Sequence, residues 1–260
     1  MTDPAPPPSL QGLHAIVTGG GTGIGAAITR RLAQLGLRVS ILGRRAAPLE
    51  ALCEQIPGTA AYTADIADPA AVETVFARAG DAFGPISVLV NNAGIALSSP
   101  VADTPLGDWQ RQLDVNLTGA FLCIQAALPA MRAAGWGRVV NIASTAGLKG
   151  YPFVAGYCAS KHGLIGLTRA LALELAREGI TVNAVCPGYT ETDLVEDALR
   201  NISTESGRSR EEALRRLTSL NPQRRLIRPE EVADAVAWLC GPTAAAVTGQ
   251  AIAVAGGEVM

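Results

Sequence analysis

The stretch that decides the fold is LHAIVTGGGTGIG, residues 13–25. Its first half, LHAIVT (Leu13–Thr18), is apolar on successive residues, which predicts a strand buried on both faces. The glycines that follow let the backbone turn tightly and approach a ligand closely. A helix pattern begins directly after them, and its free N–H groups would face the turn. The arrangement predicts a binding site for the pyrophosphate of a dinucleotide, formed by Gly19, Gly23, Ile24 and Gly25. The glycine spacing differs from the commoner dinucleotide pattern, so a tight turn without a ligand is the alternative.

Six further strand patterns follow this stretch, most of them rich in valine or isoleucine. They are RVSIL (Arg38–Leu42), TAAYT (Thr59–Thr63), ISVLVN (Ile86–Asn91), RVVNIA (Arg138–Ala143), ITVNAVC (Ile180–Cys186) and AIAVA (Ala251–Ala255). Helix patterns lie between them, at Ala26–Leu35, Ala70–Ala82 and Ala159–Arg177. The alternation predicts an α/β fold, a doubly wound (Rossmann) parallel sheet of about seven strands with helices on both faces. Ligands of such sheets bind at the carboxyl ends of the strands, where the strand order reverses.

The predicted organisation is one catalytic domain over residues 10–260, preceded by a flexible Pro-rich tail over residues 1–9. Residues 190–228 are long for a connection and contain two short helical patterns, so we interpret them as a helical lid over the substrate. No second domain is expected.

Composition excludes several classes of protein. The chain has 260 residues, and its formal net charge of −2 gives no basic surface for nucleic acid. No uninterrupted apolar run reaches ~18 residues, so no membrane span is expected. The first eight residues, MTDPAPPP, do not resemble a secretory signal. The five cysteines lack paired spacing and there are two histidines, which favours a cytoplasmic protein without disulfides or a metal site.

The residues at the ends of the next strands extend the predicted cofactor site. The second strand ends in Leu42-Gly43-Arg44-Arg45, with no carboxylate to grip a ribose hydroxyl. Two guanidiniums suit a 2′-phosphate, which favours NADP over NAD, while NAD stays possible. The alternative for Arg44 and Arg45 is a solvated helix start. Small or polar residues after the third and fourth strands would meet the adenosine: Asp65, Ile66, Asn92, Ala93 and Gly94.

A tyrosine and a lysine four residues apart, Tyr157 and Lys161, lie on one face of a predicted helix. A nearby ammonium lowers the pKa of a phenol, so Tyr157 becomes a candidate general acid or base. Ser144 follows the fifth strand, where its hydroxyl can hydrogen-bond a substrate carbonyl. Asn116 falls within a helical stretch, where a buried amide needs partners. Tyr–Lys pairs at this spacing are also common as plain surface neighbours.

Together these motifs resemble the classical short-chain dehydrogenase/reductase family over about residues 10–257. The resemblance rests on TGGGTGIG (Thr18–Gly25), NNAG (Asn91–Gly94), Asn116, Ser144, YCASK (Tyr157–Lys161) and the Pro187-Gly188 pair. It implies an NAD(P)-dependent oxidoreductase that moves a hydride between nicotinamide and a carbonyl or secondary alcohol, without a metal, usually as a homotetramer or homodimer.

The resemblance also assigns roles to residues. Tyr157 would be the acid/base, Lys161 would hold the nicotinamide ribose and lower the pKa of Tyr157, and Ser144 would orient the carbonyl. Asn116, through a kink in its helix, would hold a water of a proton relay. The remaining expected cofactor contacts are at the nicotinamide, Pro187, Gly188 and Thr190, and at the 2′-phosphate, Thr22 and Arg44.

Within the family, the sequence is similar to 3-oxoacyl thioester reductases and polyketide ketoreductases. The seven arginines of residues 208–228 would suit a phosphate-bearing coenzyme A or carrier-protein ester. Their alternative role is solvation and helix capping. Phe153, Val154 and Tyr189 would line the acyl pocket, next to Ser144 and Tyr157. Two other functions stay open: a dehydrogenase or reductase of a free secondary alcohol, sugar or steroid, and a non-catalytic nucleotide-sensing protein.

Overall fold

Seven parallel strands form one sheet in the order β3-β2-β1-β4-β5-β6-β7, which confirms the predicted fold. The protein is represented by a computed structural model that describes residues 9–207 and 209–260, so most of the predicted tail and Arg208 lie outside the described residues. Each strand begins and ends within one residue of its predicted bounds. The strands are β1 (His14–Thr18), β2 (Arg38–Gly43), β3 (Thr59–Thr63), β4 (Ile86–Asn91), β5 (Gly137–Ile142), β6 (Ile180–Pro187) and β7 (Ala251–Val254).

Helices connect successive strands through most of the chain. They are α1 (Gly23–Gln34), α2 (Ala46–Gln55), α3 (Pro69–Phe83), α4 (Leu106–Leu113), α5 (Gly119–Ala134), α6 (Ala155–Leu175), α7 (Asp193–Ser206), α8 (Arg210–Thr218) and α9 (Pro229–Cys240). A π-helical turn, Asp114–Thr118, joins α4 to α5. Helix α6 begins at Ala155, four residues before its predicted start, and this places Tyr157 in its first turn.

The sheet separates two apolar cores because successive strand residues point to opposite faces. On one face, Val17 packs with buried residues of α1, α2 and α9. On the other face, Ile16 packs with buried residues of α3 and α5. Strands covered on both sides explain the unbroken Val/Ile runs of the sequence.

The strand order reverses at β1, which lies between β2 and β4. The chain first builds the sheet outward through β2 and β3, then returns to the other side of β1. The connections on the two sides therefore diverge at the carboxyl ends of β1 and β4, and a crevice opens between them.

The predicted lid consists of α7 and α8, which pack on each other through Val195, Leu199, Ala213 and Leu217. Its two ends are held together, because Thr190 pairs with Ile227 as an isolated parallel bridge. The lid therefore begins and ends at the same place, close to the carboxyl end of β6.

Among the described residues, the continuous helical stretch Leu106–Ala134 is long and apolar enough to cross a membrane: it has 29 residues, and an 18-residue window within it has a mean hydropathy of 1.3. The sequence expectation overlooked it because Asn116, Thr118 and Gln125 interrupt its apolar run. This is weak evidence for a membrane span, since core helices meet the same criterion. Here the α5 part packs against β4 and α3, as a core helix does.

The burial of His14 makes the stability of the fold sensitive to acid. Its ring is 1% exposed, and its two nitrogens contact the Gly84 carbonyl oxygen and the Ser40 hydroxyl, both at 2.8 Å. Burial lowers its pKa below the ordinary value of 6.5. The unfolded chain therefore takes up a proton that the native chain resists, so stability is complete above that pH and falls as the pH drops below it.

We expect the free energy of unfolding to fall by about 1 kcal/mol between pH 7.5 and pH 5.5. Urea unfolding at the two pH values measures this loss. His14→Gln should be less stable at both pH values but show little of the pH dependence. His162→Gln, on the exposed side of α6, should keep it. If the free energy of unfolding of His14→Gln fell by as much between the two pH values as that of the unmodified protein, His14 would not be the source of the pH dependence.

Candidate active site

The glycine turn after β1 is shaped by close backbone contacts. Gly19 has a φ of +64°. This conformation is unfavourable for any residue that carries a side chain. A Cβ at Gly25 would lie 2.0 Å from the Gly19 carbonyl oxygen, so α1 can start this close to the turn only with glycine there. Asn92, after β4, donates its amide Nδ2 to the carbonyl oxygens of Thr18 and Gly19 at 3.0 and 3.1 Å. The turn is thereby tied to the neighbouring strand.

A cavity of about 320 Å³ opens beside this turn, at the predicted crevice. Eight predicted cofactor residues line it: Gly19, Thr22, Arg44, Arg45, Asp65, Ile66, Ala93 and Gly94. Sequence reasoning missed Pro48 and Leu49, which form its wall from α2. Their position at the start of α2, shortly after Arg44 and Arg45, was the available signal.

The cavity has the chemistry of a dinucleotide site. Arg44 and Arg45 are exposed, and within residues 9–207 and 209–260 neither guanidinium has a hydrogen bond or ion pair. A cleft that combines a backbone cradle with two available cations fits an adenosine phosphate. Asp65 accepts a hydrogen bond from the Ala67 N–H at 3.0 Å, and this holds its carboxylate at the rim.

The other predicted cofactor residues are not part of the lining of this cavity. Gly23, Ile24 and Gly25 form the first turn of α1. Pro187 ends β6, and Gly188 and Thr190 begin the connection to the lid. The Thr190 hydroxyl is buried and donates to the Gly188 carbonyl oxygen at 3.0 Å.

The predicted catalytic side chains converge at the carboxyl ends of β4 and β5. Lys161 is 4% exposed, and its ammonium donates to the Ile142 carbonyl oxygen at 2.8 Å. That ammonium lies 5.7 Å from the centre of the Tyr157 ring. A Cβ at Gly94 would lie 3.5 Å from the same ammonium and 3.1 Å from the Asn116 side-chain oxygen. The absence of a side chain at Gly94 thus leaves room for the Lys161 ammonium and the Asn116 amide.

Burial, and not the lysine, dominates the electrostatics of Tyr157. Loss of solvation raises the pKa of its phenol, and hydrogen bonding with Ser144 opposes this only in part. Burial also lowers the pKa of Lys161 to about 8. Burial is the larger effect on the phenol, and the lowering of its pKa by Lys161 stays a prediction. The Lys161 ammonium is engaged by Ile142, and the phenol stays protonated at neutral pH.

Asn116 lies in the π-helical turn between α4 and α5, at the place where a kink was predicted. Its side-chain oxygen accepts from the Ile95 N–H, and its Nδ2 donates to the Ile95 carbonyl oxygen, both at 2.8 Å. The Nδ2 also donates to the Ser160 hydroxyl at 3.0 Å. The amide clamps the β4–α4 connection to α6, while its part in a proton relay stays a prediction.

Comparison with known proteins now identifies the family. The model of the short chain dehydrogenase family matches residues 13–202. The chain belongs to the short-chain dehydrogenase/reductase family. It is accordingly an NAD(P)-dependent oxidoreductase, as the sequence predicted.

Similar proteins of this family span nearly the whole chain. A putative ketoacyl reductase of Streptomyces coelicolor is 44% identical, over 94% of this chain and 95% of its own. A D-beta-hydroxybutyrate dehydrogenase of Rhizobium meliloti is 37% identical, over 94% and 97%. Among solved structures, an actinorhodin polyketide ketoreductase variant with NADPH is 42% identical. It superimposes with a TM-score of 0.92 over 95% of this chain and 97% of its own.

The connection between β5 and α6 contains a strained aromatic residue, Phe153, which the sequence predicted to line an acyl pocket. Phe153 has a φ of +66° and a side chain that is 61% exposed. Its carbonyl oxygen accepts from the Ser99 N–H at 2.7 Å, which ties the β5–α6 connection to the β4–α4 connection. Such strain is typical of functional sites. Val154 ends this connection, and Tyr189 stands across it, with its ring edge-on to Tyr151 at 6.5 Å between centres.

The strain at Phe153 can be measured with two variants. Phe153→Gly should be more stable than Phe153→Ala by about 1 kcal/mol, because alanine keeps a Cβ in the left-handed region. At Val154, where φ is −132°, the order should reverse and the alanine variant should be the more stable. Urea unfolding measures both pairs. The same order at both positions would show that Phe153 is not strained.

The lid does not present the free arginine surface that the sequence suggested. Arg208 lies outside the described residues. The remaining ion pairs are Arg210–Glu196, Arg215–Glu211, Arg225–Glu231 and Arg228–Glu231. Within the described part of the chain, only Arg216 and Arg224 of this group lack an ion pair. Three carboxylates, from α7, α8 and α9, pair with the other four arginines, and contact between the lid arginines and a phosphate-bearing ester stays a prediction.

Three residues near Ser144 were missed: Lys149, Tyr151 and Glu258. Glu258 lies more than a hundred positions along the chain from the other two. Local sequence patterns carry no signal for such a contact.

Proposed function

We propose that this enzyme reduces a 3-oxoacyl thioester of coenzyme A or a carrier protein to the 3-hydroxyacyl form, with NADPH as reductant. The name of the 44% identical Streptomyces relative, a putative ketoacyl reductase, supports this substrate class. The similar ketoreductase structure with NADPH supports the nucleotide, and so do the guanidiniums of Arg44 and Arg45, which have no partner among the residues that the structure describes.

The observation that carries the substrate class is the charge around Ser144. Lys149 follows Ser144 by five residues, and its ammonium lies 3.2 Å from the carboxylate of Glu258, whose side chain is 1% exposed. A free 3-oxo acid would bring its own carboxylate close to the reacting carbonyl, and such a charge needs an unpaired cation. The pairing of Lys149 favours a substrate with an uncharged acyl end, as a thioester has.

The residues of this chain divide the reaction between them. The Ser144 hydroxyl donates a hydrogen bond to the substrate carbonyl oxygen and stabilises its developing negative charge. Tyr157, protonated because it is buried, gives its phenolic proton to that oxygen. The ammonium of Lys161 stabilises the phenolate left behind, which solvent then reprotonates. Bound NADPH supplies the hydride that the carbonyl carbon receives.

A second candidate is oxidation of a free 3-hydroxy acid, which the 37% identical hydroxybutyrate dehydrogenase favours. The same residues would act in reverse, with Tyr157 accepting the proton. Reduction of a neutral ketone without a thioester handle is the third possibility.

A substrate comparison tests the proposal. Initial rates with NADPH are measured on acetoacetyl-coenzyme A, on acetoacetate and on an uncharged ketone of similar size. We expect the highest kcat/KM for the thioester and the lowest for acetoacetate. A higher kcat/KM for acetoacetate than for the thioester would overturn the proposal in favour of the free hydroxy acid. Equal kcat/KM values for the thioester and the ketone would show that the enzyme does not recognise the coenzyme A or carrier-protein part of the substrate.

A further inference from the structure

The tail after β7 turns back into the molecule at Gly256 and Gly257. Both have positive φ, at +58° and +90°. A Cβ at Gly256 would lie 2.2 Å from the Asn221 side-chain oxygen, and one at Gly257 would lie 3.2 Å from the Pro222 ring. The turn lies directly against the end of the lid, and at Gly256 it leaves no room for a side chain. It brings the following residue, Glu258, towards the active site.

The Glu258 carboxylate is buried, and two residues of the β5–α6 connection hold it. Its Oε1 forms the ion pair with Lys149 and accepts a hydrogen bond from the Tyr151 hydroxyl. The Lys149 ammonium also donates to the backbone carbonyl oxygen of Glu258 at 3.4 Å. A buried carboxylate is costly unless it is paired in this way, so the tail and the connection stabilise one another.

The contact continues to the residue next to Ser144. The Tyr151 hydroxyl is hydrogen-bonded to the Thr145 hydroxyl at 2.7 Å. Burial and the Glu258 carboxylate raise the pKa of Tyr151, so its hydroxyl keeps the proton that it donates. A chain of hydrogen bonds therefore runs from Glu258 through Tyr151 to Thr145. Thr145 is joined to Ser144 by a peptide bond.

The other carboxylate oxygen of Glu258 faces the opposite side of the site. A Cβ at Gly188 would lie 3.2 Å from this Oε2, so the carboxylate packs on the turn that follows β6. Among the described residues, Oε2 is buried without a hydrogen-bond partner. One side chain thus touches both the Ser144 connection and the Gly188 turn, at the expense of an unsatisfied oxygen.

We propose that Glu258 is a positioning residue, which fixes Ser144 relative to the Gly188 turn through Tyr151 and Thr145. The inference rests on the role of Ser144 in the proposed function, but not on the choice of thioester, ketone or hydroxy acid. A small displacement of Ser144 lowers the rate of the chemical step while leaving nucleotide binding in the cavity beside β1 intact.

The test uses Glu258→Gln and Tyr151→Phe, which keep the size of each side chain. Each should lower kcat by ~10- to 100-fold, with a change of less than about threefold in the KM for nucleotide. Both substitutions break the same chain of contacts. The kcat of the double variant should therefore be no lower than that of the less active single variant. The matched control is Glu178→Gln, which breaks an ion pair with Arg132 (2.7 Å) near the amino end of β6 and should keep the kcat of the unmodified enzyme.

Rates are measured on whichever compound of the substrate comparison the unmodified enzyme turns over best. A thioester that is not preferred there counts against the proposed function alone. An unchanged kcat in Tyr151→Phe, which keeps the ring and removes only the hydroxyl, would overturn the positioning role. So would additive losses in the double variant, or a KM for nucleotide that rises as much as kcat falls.

Discussion

Replacing Tyr157 with phenylalanine should lower kcat for carbonyl reduction by ~10²- to 10⁴-fold, the range that a positioned general acid contributes. The substitution removes only the hydroxyl that supplies the proton. The ring keeps its place in the first turn of α6, above the Lys161 ammonium. Disappearance of NADPH absorbance on the best substrate measures the loss.

Two controls separate this loss from a general effect of the substitution. Nucleotide binding, followed by protein fluorescence, should be retained, because the glycine turn and the cavity beside it do not include the phenol. Tyr62→Phe makes the same chemical change at a buried tyrosine of the edge strand β3 and should keep most of the activity. A Tyr157→Phe enzyme that reduces substrate at the unmodified rate would refute the assignment of the acid and revive a nucleotide-sensing role.

Arg44→Asp should reverse the nucleotide preference. In the proposed site the Arg44 guanidinium meets the 2′-phosphate, and a charge-assisted hydrogen bond of this kind contributes roughly 1.5–3 kcal/mol, or ~10- to 100-fold in kcat/KM. An aspartate there repels the phosphate and accepts a hydrogen bond from a ribose hydroxyl instead. We therefore expect kcat/KM to fall by that factor for NADPH and to rise for NADH.

The matched control for Arg44→Asp is Arg177→Asp, which makes the same charge change in the turn before β6, away from the crevice. It should leave the ratio of NADPH to NADH activity unchanged, which separates a local contact from the net charge of the protein. Equal use of NADH and NADPH by the unmodified enzyme, with no shift in Arg44→Asp, would contradict the choice of NADPH.

The predictable part of the site lies within continuous segments of the chain. The glycines of residues 19–25, the two arginines after β2 and the Tyr157–Lys161 pair each combine residues that are close in sequence. Their geometry follows from one strand end or one helix turn, so a pattern suffices to find them. Parallel strands then bring their carboxyl ends to one edge, which explains why separate motifs meet in one crevice.

The sequence by itself thus determined the parallel sheet, the crevice at its strand reversal and the family. Tertiary structure alone decided the charges. Burial raises the pKa of Tyr157, and the Ile142 carbonyl oxygen engages the ammonium that was expected to lower it. Carboxylates from three helices pair with four of the lid arginines, and Glu258, which follows β7, pairs with Lys149. Solvation and ion pairing depend on distances between segments that are remote in sequence, and residue spacing does not encode those distances.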